Sequence, residues 1–126
     1  MNFPELWMQQ RDLDVDCVLF STFSDDPIFD TIARAHAAMH GYWVSIALPA
    51  QCAPATPSAV IGPHGYPLRH ARADGPEVIC VDLNHADPAL DLALHKARPW
   101  RTTARDGDIY AVRRVIDARS TNRTSP

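Results

Sequence analysis

Two histidines, His36 and His40, stand four residues apart in the run HAAMH. On a helix this spacing places both imidazoles on one face, where they could bind one metal ion. A zinc protease also needs a glutamate directly after the first histidine, and alanine occupies that position here. With no third ligand apparent in the sequence, we expect no metal site and no cofactor. We interpret the pair as helix residues near a C-terminus, where the helix dipole favours cationic histidine.

Three cysteines are the candidates for nucleophilic chemistry: Cys17, Cys52 and Cys80. A reactive thiol needs a neighbouring base or cation, and the sequence places none beside Cys52 in its proline-rich loop. The other two lie in the apolar runs CVLF and VICV, which are typical of buried strands. The odd number and the spacing fit no zinc site. We therefore expect reduced, buried cysteines in a cytoplasmic protein.

The run GPHGYPL resembles a phosphate-binding loop only superficially, because it has two glycines and leads into a strand pattern. We interpret it as a hairpin turn in which Gly65 takes a positive φ.

Helical and strand patterns alternate along the chain. Three helices are predicted from their caps and apolar spacing: Pro4 to Leu13, residues 27–40 between Asp25 or Asp26 and Gly41, and Asp87 to about Ala97. Strands are predicted at VDCVLFSTF, with both faces buried, and at YWVSIAL, SAVIG, PLRHA and EVICVDLN. Beyond Pro99 the pattern loosens. The alternation predicts an α/β fold, a mixed sheet with helices on one face.

Length and charge narrow the class of protein. A chain of 126 residues with 46% apolar residues can bury one modest core, which predicts a single domain or part of one. Residues 1–97 carry 5 basic and 12 acidic side chains, whereas residues 98–126 carry 7 arginines and 3 aspartates. Acidic residues interrupt this basic tail, so we expect no nucleic-acid binding. We expect no secretory signal, no membrane-spanning segment and no membrane partner.

Several stretches in order resemble the C-terminal half of the carbon–nitrogen hydrolases, the nitrilase and aliphatic amidase family. NFPELWMQQRDLDVDCVLFSTF is similar to the family stretch that follows the nucleophile, and ARAHAAMHGYWVSIAL to the next helix and strand. PSAVIGPHGYPLRHA resembles the family hairpin, and GPEVICVDLN with ARPWRTTARDGDIY resembles its closing strand and tail. The resemblance implies domain boundaries of 1–110 for the hydrolase part and 111–126 for a basic tail.

The resemblance implies a Glu–Lys–Cys triad in which cysteine attacks an amide or nitrile carbon. In the family pattern all three residues precede the FPE motif, and the cysteine would fall before Met1. No residue of this chain is therefore assigned a catalytic role, and Lys96, the one lysine, stands far from the family position. The substrate-pocket candidates are Ser21, Thr22 and Phe23, at the end of the strand that would lie beside the nucleophile.

The family fold implied is a four-layer αββα sandwich, of which this chain would supply half. We expect the uncovered sheet face to expose YWVSIAL and CVLF and to require a partner, either a second copy in a homo-oligomer or the missing half. The first hypothesis is a partial carbon–nitrogen hydrolase, inactive alone, that acts on a small amide or nitrile once completed. The alternative is a non-catalytic dimerisation module or scaffold of the same fold. The third and weakest hypothesis is a metal-binding protein that uses His36 and His40.

Overall fold

A computed structural model describes residues 3–105, and the structural statements below concern that part of the chain. The main elements are α1 (Pro4–Asp12), β1 (Cys17–Ser21), α2 (Ile28–His40), β2 (Trp43–Ala47), β3 (Ala59–Ile61), β4 (Pro67–His70) and α3 (Arg98–Arg105). Short 3-10 turns span Ala50–Cys52 and Pro88–Leu90, and a π-helical turn spans Leu92–Ala97.

The four strands form one open sheet in the order β1-β2-β3-β4. β1 and β2 run parallel, with Cys17 opposite Trp43, because α2 carries the chain back between them. β2 pairs antiparallel with β3, and β3 with β4 across the GPHGYP turn, where Gly65 has a φ of 82°. The predicted α/β fold with a mixed sheet and the predicted hairpin are both confirmed.

Helix α2 begins and ends close to the predicted residues. Asp26 accepts a hydrogen bond on Oδ1 from the Ile28 amide, at 3.0 Å, and Pro27 precedes the first helical residue. At the other end Gly41 adopts a left-handed conformation with a φ of 72°, and its amide donates to the Ala37 carbonyl at 2.8 Å. The N-terminal acid and the C-terminal glycine therefore define the helix as the sequence predicts.

Strand β1 differs from its prediction. It lies at an edge of the sheet, with β2 as its one strand neighbour in the described part of the chain. Leu19 is 81% exposed, and the prediction that both faces are buried is therefore wrong. An apolar run indicates that its residues favour burial, but it does not indicate which other elements of the fold pack against them.

Alternate residues of β2 point to opposite faces of the sheet. Val44 and Ile46 pack with Trp7 of α1 and with Ala33 and Ala37 of α2, on what we call the α1/α2 face. On the other side, the Trp43 face, Trp43 packs against Leu90 and Leu94 of the C-terminal segment. Helical segments therefore cover both faces, contrary to the prediction of helices on one face. Tyr42 to Val44 and Ile46 are also buried, so the expected exposure of YWVSIAL is wrong.

The predicted strand EVICVDLN is not a strand in the structure. Val78 is 90% exposed, Cys80 is exposed, and the amides of residues 78–83 make no backbone hydrogen bond within residues 3–105. Arg72 closes a local turn before this segment, by pairing with Asp74 and by donating its amide to Glu77. The turn leaves the segment without a strand partner, and β-forming residues need one to pair.

The last predicted helix is real but is built differently. Asp87 caps its first turn, accepting from the Ala89 amide at 2.9 Å. A π-helical turn then precedes α3, which extends through Pro99 to Arg105, beyond the predicted end at about Ala97. Pro99 has no amide to donate, so a wide turn directly before it loses little hydrogen bonding. The basic tail at 111–126 and the DGDIYAVRRVIDARS run lie outside the described residues.

Within residues 3–105, none of the helices has both the length and the apolar content needed to cross a membrane.

Candidate functional site

The predicted pocket residues lie together at the C-terminal end of β1. Ser21 is the last residue of the strand and is exposed. The Thr22 amide donates to the Ala47 carbonyl at 3.1 Å, which continues the pairing with β2, and Phe23 is 69% exposed. None of the three lines the cavities described below. They form an open strand end, and their role in binding a substrate stays a prediction.

A groove of about 290 Å³ follows the free edge of β1. Its floor is the four consecutive strand residues 17–20, and its wall is the facing side of α1, namely Phe3, Leu6, Trp7 and Gln10. Consecutive strand residues point to opposite faces, so a groove that touches all four must run along the strand edge. We call it the edge groove. The sequence does not reveal the groove, because edge strands and central strands can have the same apolar composition.

The chemistry of the edge groove is apolar rather than catalytic. Its one cysteine, Cys17, is half-buried, and burial together with the negative charge of Asp16 raises the pKa of its thiol. A thiol with a raised pKa stays protonated near neutral pH and is a poor nucleophile. Gln10 supplies the only side-chain amide of the lining. The groove is therefore suited to receive a chain segment or an apolar ligand.

A second, more polar cavity of about 620 Å³ lies between α3 and the loop before β1. Arg98 donates to Asp14 at 2.6 Å and to Asp16 at 3.1 Å, so both carboxylates are committed to one guanidinium. His85 is 3.5 Å from Asp16, and the His95 ring contacts the His85 carbonyl at 2.9 Å. The cluster fastens the C-terminal segment to the loop, and its groups are already occupied with one another.

His36 and His40 form a buried pair between α1 and the sheet. Their facing ring nitrogens are 3.4 Å apart, and the Trp7 ring stacks on His36 with centroids 4.8 Å apart. Burial lowers the pKa of His36, and burial with the charges of His36 and of three arginines lowers the pKa of His40 to about 4. The interpretation as cations favoured by the helix dipole is therefore wrong, because burial outweighs the dipole.

The same surroundings argue against a metal ion at this pair. The guanidinium groups of Arg11, Arg101 and Arg105 act on His40, and they would repel a dication as they repel a proton. Among residues 3–105 no cluster of three histidine, cysteine or acidic side chains gathers that could hold a metal. Two neutral histidines packed on Trp7 are better understood as part of the core.

The cysteines are all free but differ in environment. Cys52 is buried in its 3-10 turn, which agrees with the expected burial of the cysteines. Cys80 is exposed, so its predicted burial is wrong for the same reason that its strand is absent. The structure places no histidine ring or guanidinium in hydrogen-bond contact with these thiols in the described residues.

Trp43 is the least expected feature of the sheet. Its side chain is fully buried, yet its indole Nε1 has no hydrogen-bond partner among residues 3–105. The His85 ring meets it edge-on, with centroids 4.8 Å apart. An unpaired buried donor costs about 1–3 kcal/mol, so this cover of Trp43 is imperfect.

Comparison of the chain with family models, with curated proteins and with solved structures finds no match. A proposal of function therefore rests on the motifs of the sequence and on the geometry of the chain itself.

Proposed function

We propose that this chain is the C-terminal part of a carbon–nitrogen hydrolase of the nitrilase and amidase type, inactive alone and completed by a layer that carries the Glu–Lys–Cys triad. The edge groove is the observation that carries the proposal. Among residues 3–105 it presents a strand edge with no strand partner and an apolar wall, Phe3 and Leu6, at the position where the resemblance puts the nucleophile segment.

The order of elements supports the proposal. FPELW opens α1, CVLFS is β1, the ARAHAAMH run ends α2, and the PSAVIG and PLRHA runs form the hairpin. These stretches thus occupy elements of the expected kind, whereas GPEVICVDLN, the expected closing strand, forms no strand within residues 3–105. The parallel β1–β2 pair followed by antiparallel strands suits an αββα layer.

Chain geometry points to where the completing strand would lie. A strand leading into α1 and parallel to β1 would form a β-α-β unit with it, and such units are right-handed and usually pair neighbouring strands. In the part of the chain that the structure describes, β2 pairs with one edge of β1 and no strand pairs with the other, so that other edge is the place for the completing strand. The substrate would be a small amide or nitrile. It would sit beside Ser21, Thr22 and Phe23, because sites in α/β sheets favour the carboxyl ends of strands.

The same edge favours a second candidate function, a non-catalytic dimerisation module. Proteins usually protect a free strand edge with charged residues or proline, and residues 17–21 contain neither. With Leu19 exposed at its centre, β1 could pair with β1 of a second copy.

The test begins with the reading frame directly upstream of Met1 and continues with a two-fragment assay. We expect an in-frame C-x-D before the FPE motif, and we expect the upstream fragment, co-expressed with this chain, to co-purify and to release ammonia from simple amides or nitriles. Leu19→Lys should abolish co-purification, because it places a charge in the groove. Leu68→Lys, on the opposite edge strand, is the matched control and should leave it intact.

Two outcomes would contradict the hydrolase proposal. An in-frame stop codon directly upstream, with a folded dimer that Leu19→Lys dissociates, would favour the dimerisation module. Ammonia release by the purified chain that persists after Cys17, Cys52 and Cys80 are all changed to serine would exclude a thiol mechanism.

A further inference from the structure

The segment from Pro88 to Arg105, which we call the strap, covers the Trp43 face with very little apolar contact. Leu90 and Leu94 are its buried residues against Trp43, with half-buried Cys17 beside them. Leu92 and Trp100, on the same segment, are exposed. Two leucines are a small anchor for a segment of this length.

Trp43 is not fully satisfied beneath the strap. Its indole N–H finds no acceptor among the described residues, although most buried tryptophans have one. The closed arrangement therefore excludes water from the indole without replacing the hydrogen bond that water would accept.

Charged contacts hold the other side of the strap. Arg98 bridges Asp14 and Asp16, whose side chains are 91% and 56% exposed. Arg101 and Arg105 donate to the carbonyls of Ala38 and Met39, at the end of α2. Ion pairs with such exposed carboxylates are weak and are screened by salt.

The connection to the strap leaves it free to move as a unit. Residues 78–83 make no backbone hydrogen bond within residues 3–105, so opening the strap breaks no sheet pairing. The Lys96–Asp91 pair, at 2.8 Å, lies inside the strap and would move with it.

We propose that the strap is a detachable cover that alternates between a closed position on the Trp43 face and an open position in which that face is free. Opening removes Leu90 and Leu94 from Trp43 and breaks both the Arg98 bridge and the contacts of α3 with the end of α2. The packing of Val44 and Ile46 on α1 and α2 stays in place. That the open face then receives a second layer rests on the proposed function; the opening itself does not.

The test measures hydrogen exchange on the chain alone, by NMR. Exchange of the Trp43 indole N–H reports opening of the cover, and the most protected amides of β2 report global unfolding. Trp7→Phe and Trp100→Phe variants assign the three indole signals. Arg98→Met removes the bridge but keeps a stem against Gly41, and Asp14→Asn with Asp16→Asn removes it from the other side. Lys96→Gln is the matched control, because it breaks an ion pair within the strap.

We expect the Trp43 indole to exchange faster than the β2 amides in the parent chain. Arg98→Met and the double asparagine variant should each accelerate it about fivefold, with the β2 amides unchanged. Sodium chloride at high concentration should do the same in the parent and have little effect in the double variant, and Lys96→Gln should leave the rate unchanged. Equal exchange of the indole and the β2 amides, or no response to Arg98→Met, would overturn the proposal whether or not the chain is part of a hydrolase.

Discussion

The two faces of the sheet are buried by different means. On the α1/α2 face, Val44 and Ile46 pack on alanines of α2, and Trp7 stacks on His36. These partners come from helices joined directly to the strands. On the Trp43 face, burial depends on two leucines from the end of the described chain and on an exposed arginine bridge. Val44 and Ile46 therefore belong to an extensively packed core, whereas their neighbour Trp43 belongs to a small cluster with few apolar contacts.

The comparison predicts that damage to the α1/α2 face unfolds the whole chain. Trp7→Ala should lower the free energy of unfolding by about 3–5 kcal/mol, because it removes a large buried ring that contacts His36, Tyr42 and Phe20. Urea denaturation followed by circular dichroism measures the change. Trp100→Ala, at an exposed position of the strap, should change it by less than about 0.5 kcal/mol. Equal losses in the two variants would contradict the distinction between the faces.

The buried histidines make the α1/α2 face sensitive to acid. Because the folded pKa of His40 is about 4, below the ordinary value of 6.5, the unfolded chain binds more protons between those pH values. As far as His40 determines it, the free energy of unfolding should be highest above pH 6.5. It should fall by up to about 3 kcal/mol as the pH drops towards 4.

Urea titrations at several pH values test this dependence. His40→Gln should flatten it over the same pH window, whereas His70→Gln, at an exposed position of β4, should keep the parent profile. A steep profile that survives in His40→Gln would assign the acid sensitivity to other groups.

Gly41 links the two faces, because it ends α2 and contacts the strap. A β-carbon there would be 3.0 Å from Cβ of Arg98, and the positive φ of 72° disfavours any other residue. Gly41→Ala should cost about 1–2 kcal/mol in thermal or urea unfolding. Gly75→Ala, where an added β-carbon meets nothing within 4 Å, serves as the control and should be nearly neutral. A neutral Gly41→Ala would contradict both the left-handed φ of Gly41 and the close approach of Arg98.

The smallest effect is expected in the segment before the strap. Val78→Lys should change the free energy of unfolding by less than about 0.5 kcal/mol, because Val78 is almost fully exposed. A loss of 2 kcal/mol or more in urea unfolding, as expected for a buried strand residue, would show that EVICVDLN is paired after all. Cys80→Ser, two residues along, provides a conservative comparison.

The sequence predicts an element of the fold well where the residues that determine the element lie close together in the chain. The caps of α2, the strands YWVSIAL and SAVIG, and the positive φ of Gly65 all follow from residues within a few positions of one another. The errors arise where distant segments decide the outcome. CVLF and EVICVDLN have strand composition, but whether Leu19 and Val78 are covered depends on neighbours that composition does not specify.

The candidate site divides in the same way. The sequence identifies His36 and His40 as a pair on one helix face, but the protonation state depends on Trp7 and on arginines from other elements. The edge groove could not be predicted, because it forms only where α1 packs beside an edge of β1 that no other strand of residues 3–105 pairs with.

The π-helical turn at Leu92–Ala97 has a consequence for how this chain tolerates change in length. Arg98, Arg101 and Arg105 are spaced by three and four residues, so they share one side of α3 and reach Asp14, Ala38 and Met39 together. Leu90 lies before the wide turn and Leu94 lies within it, and the extra residue of the turn sets the angle between these leucines and the arginines. Deleting one residue there would rotate the arginines by about 100° relative to the leucines. Substitutions in this turn should be tolerated more readily than insertions or deletions.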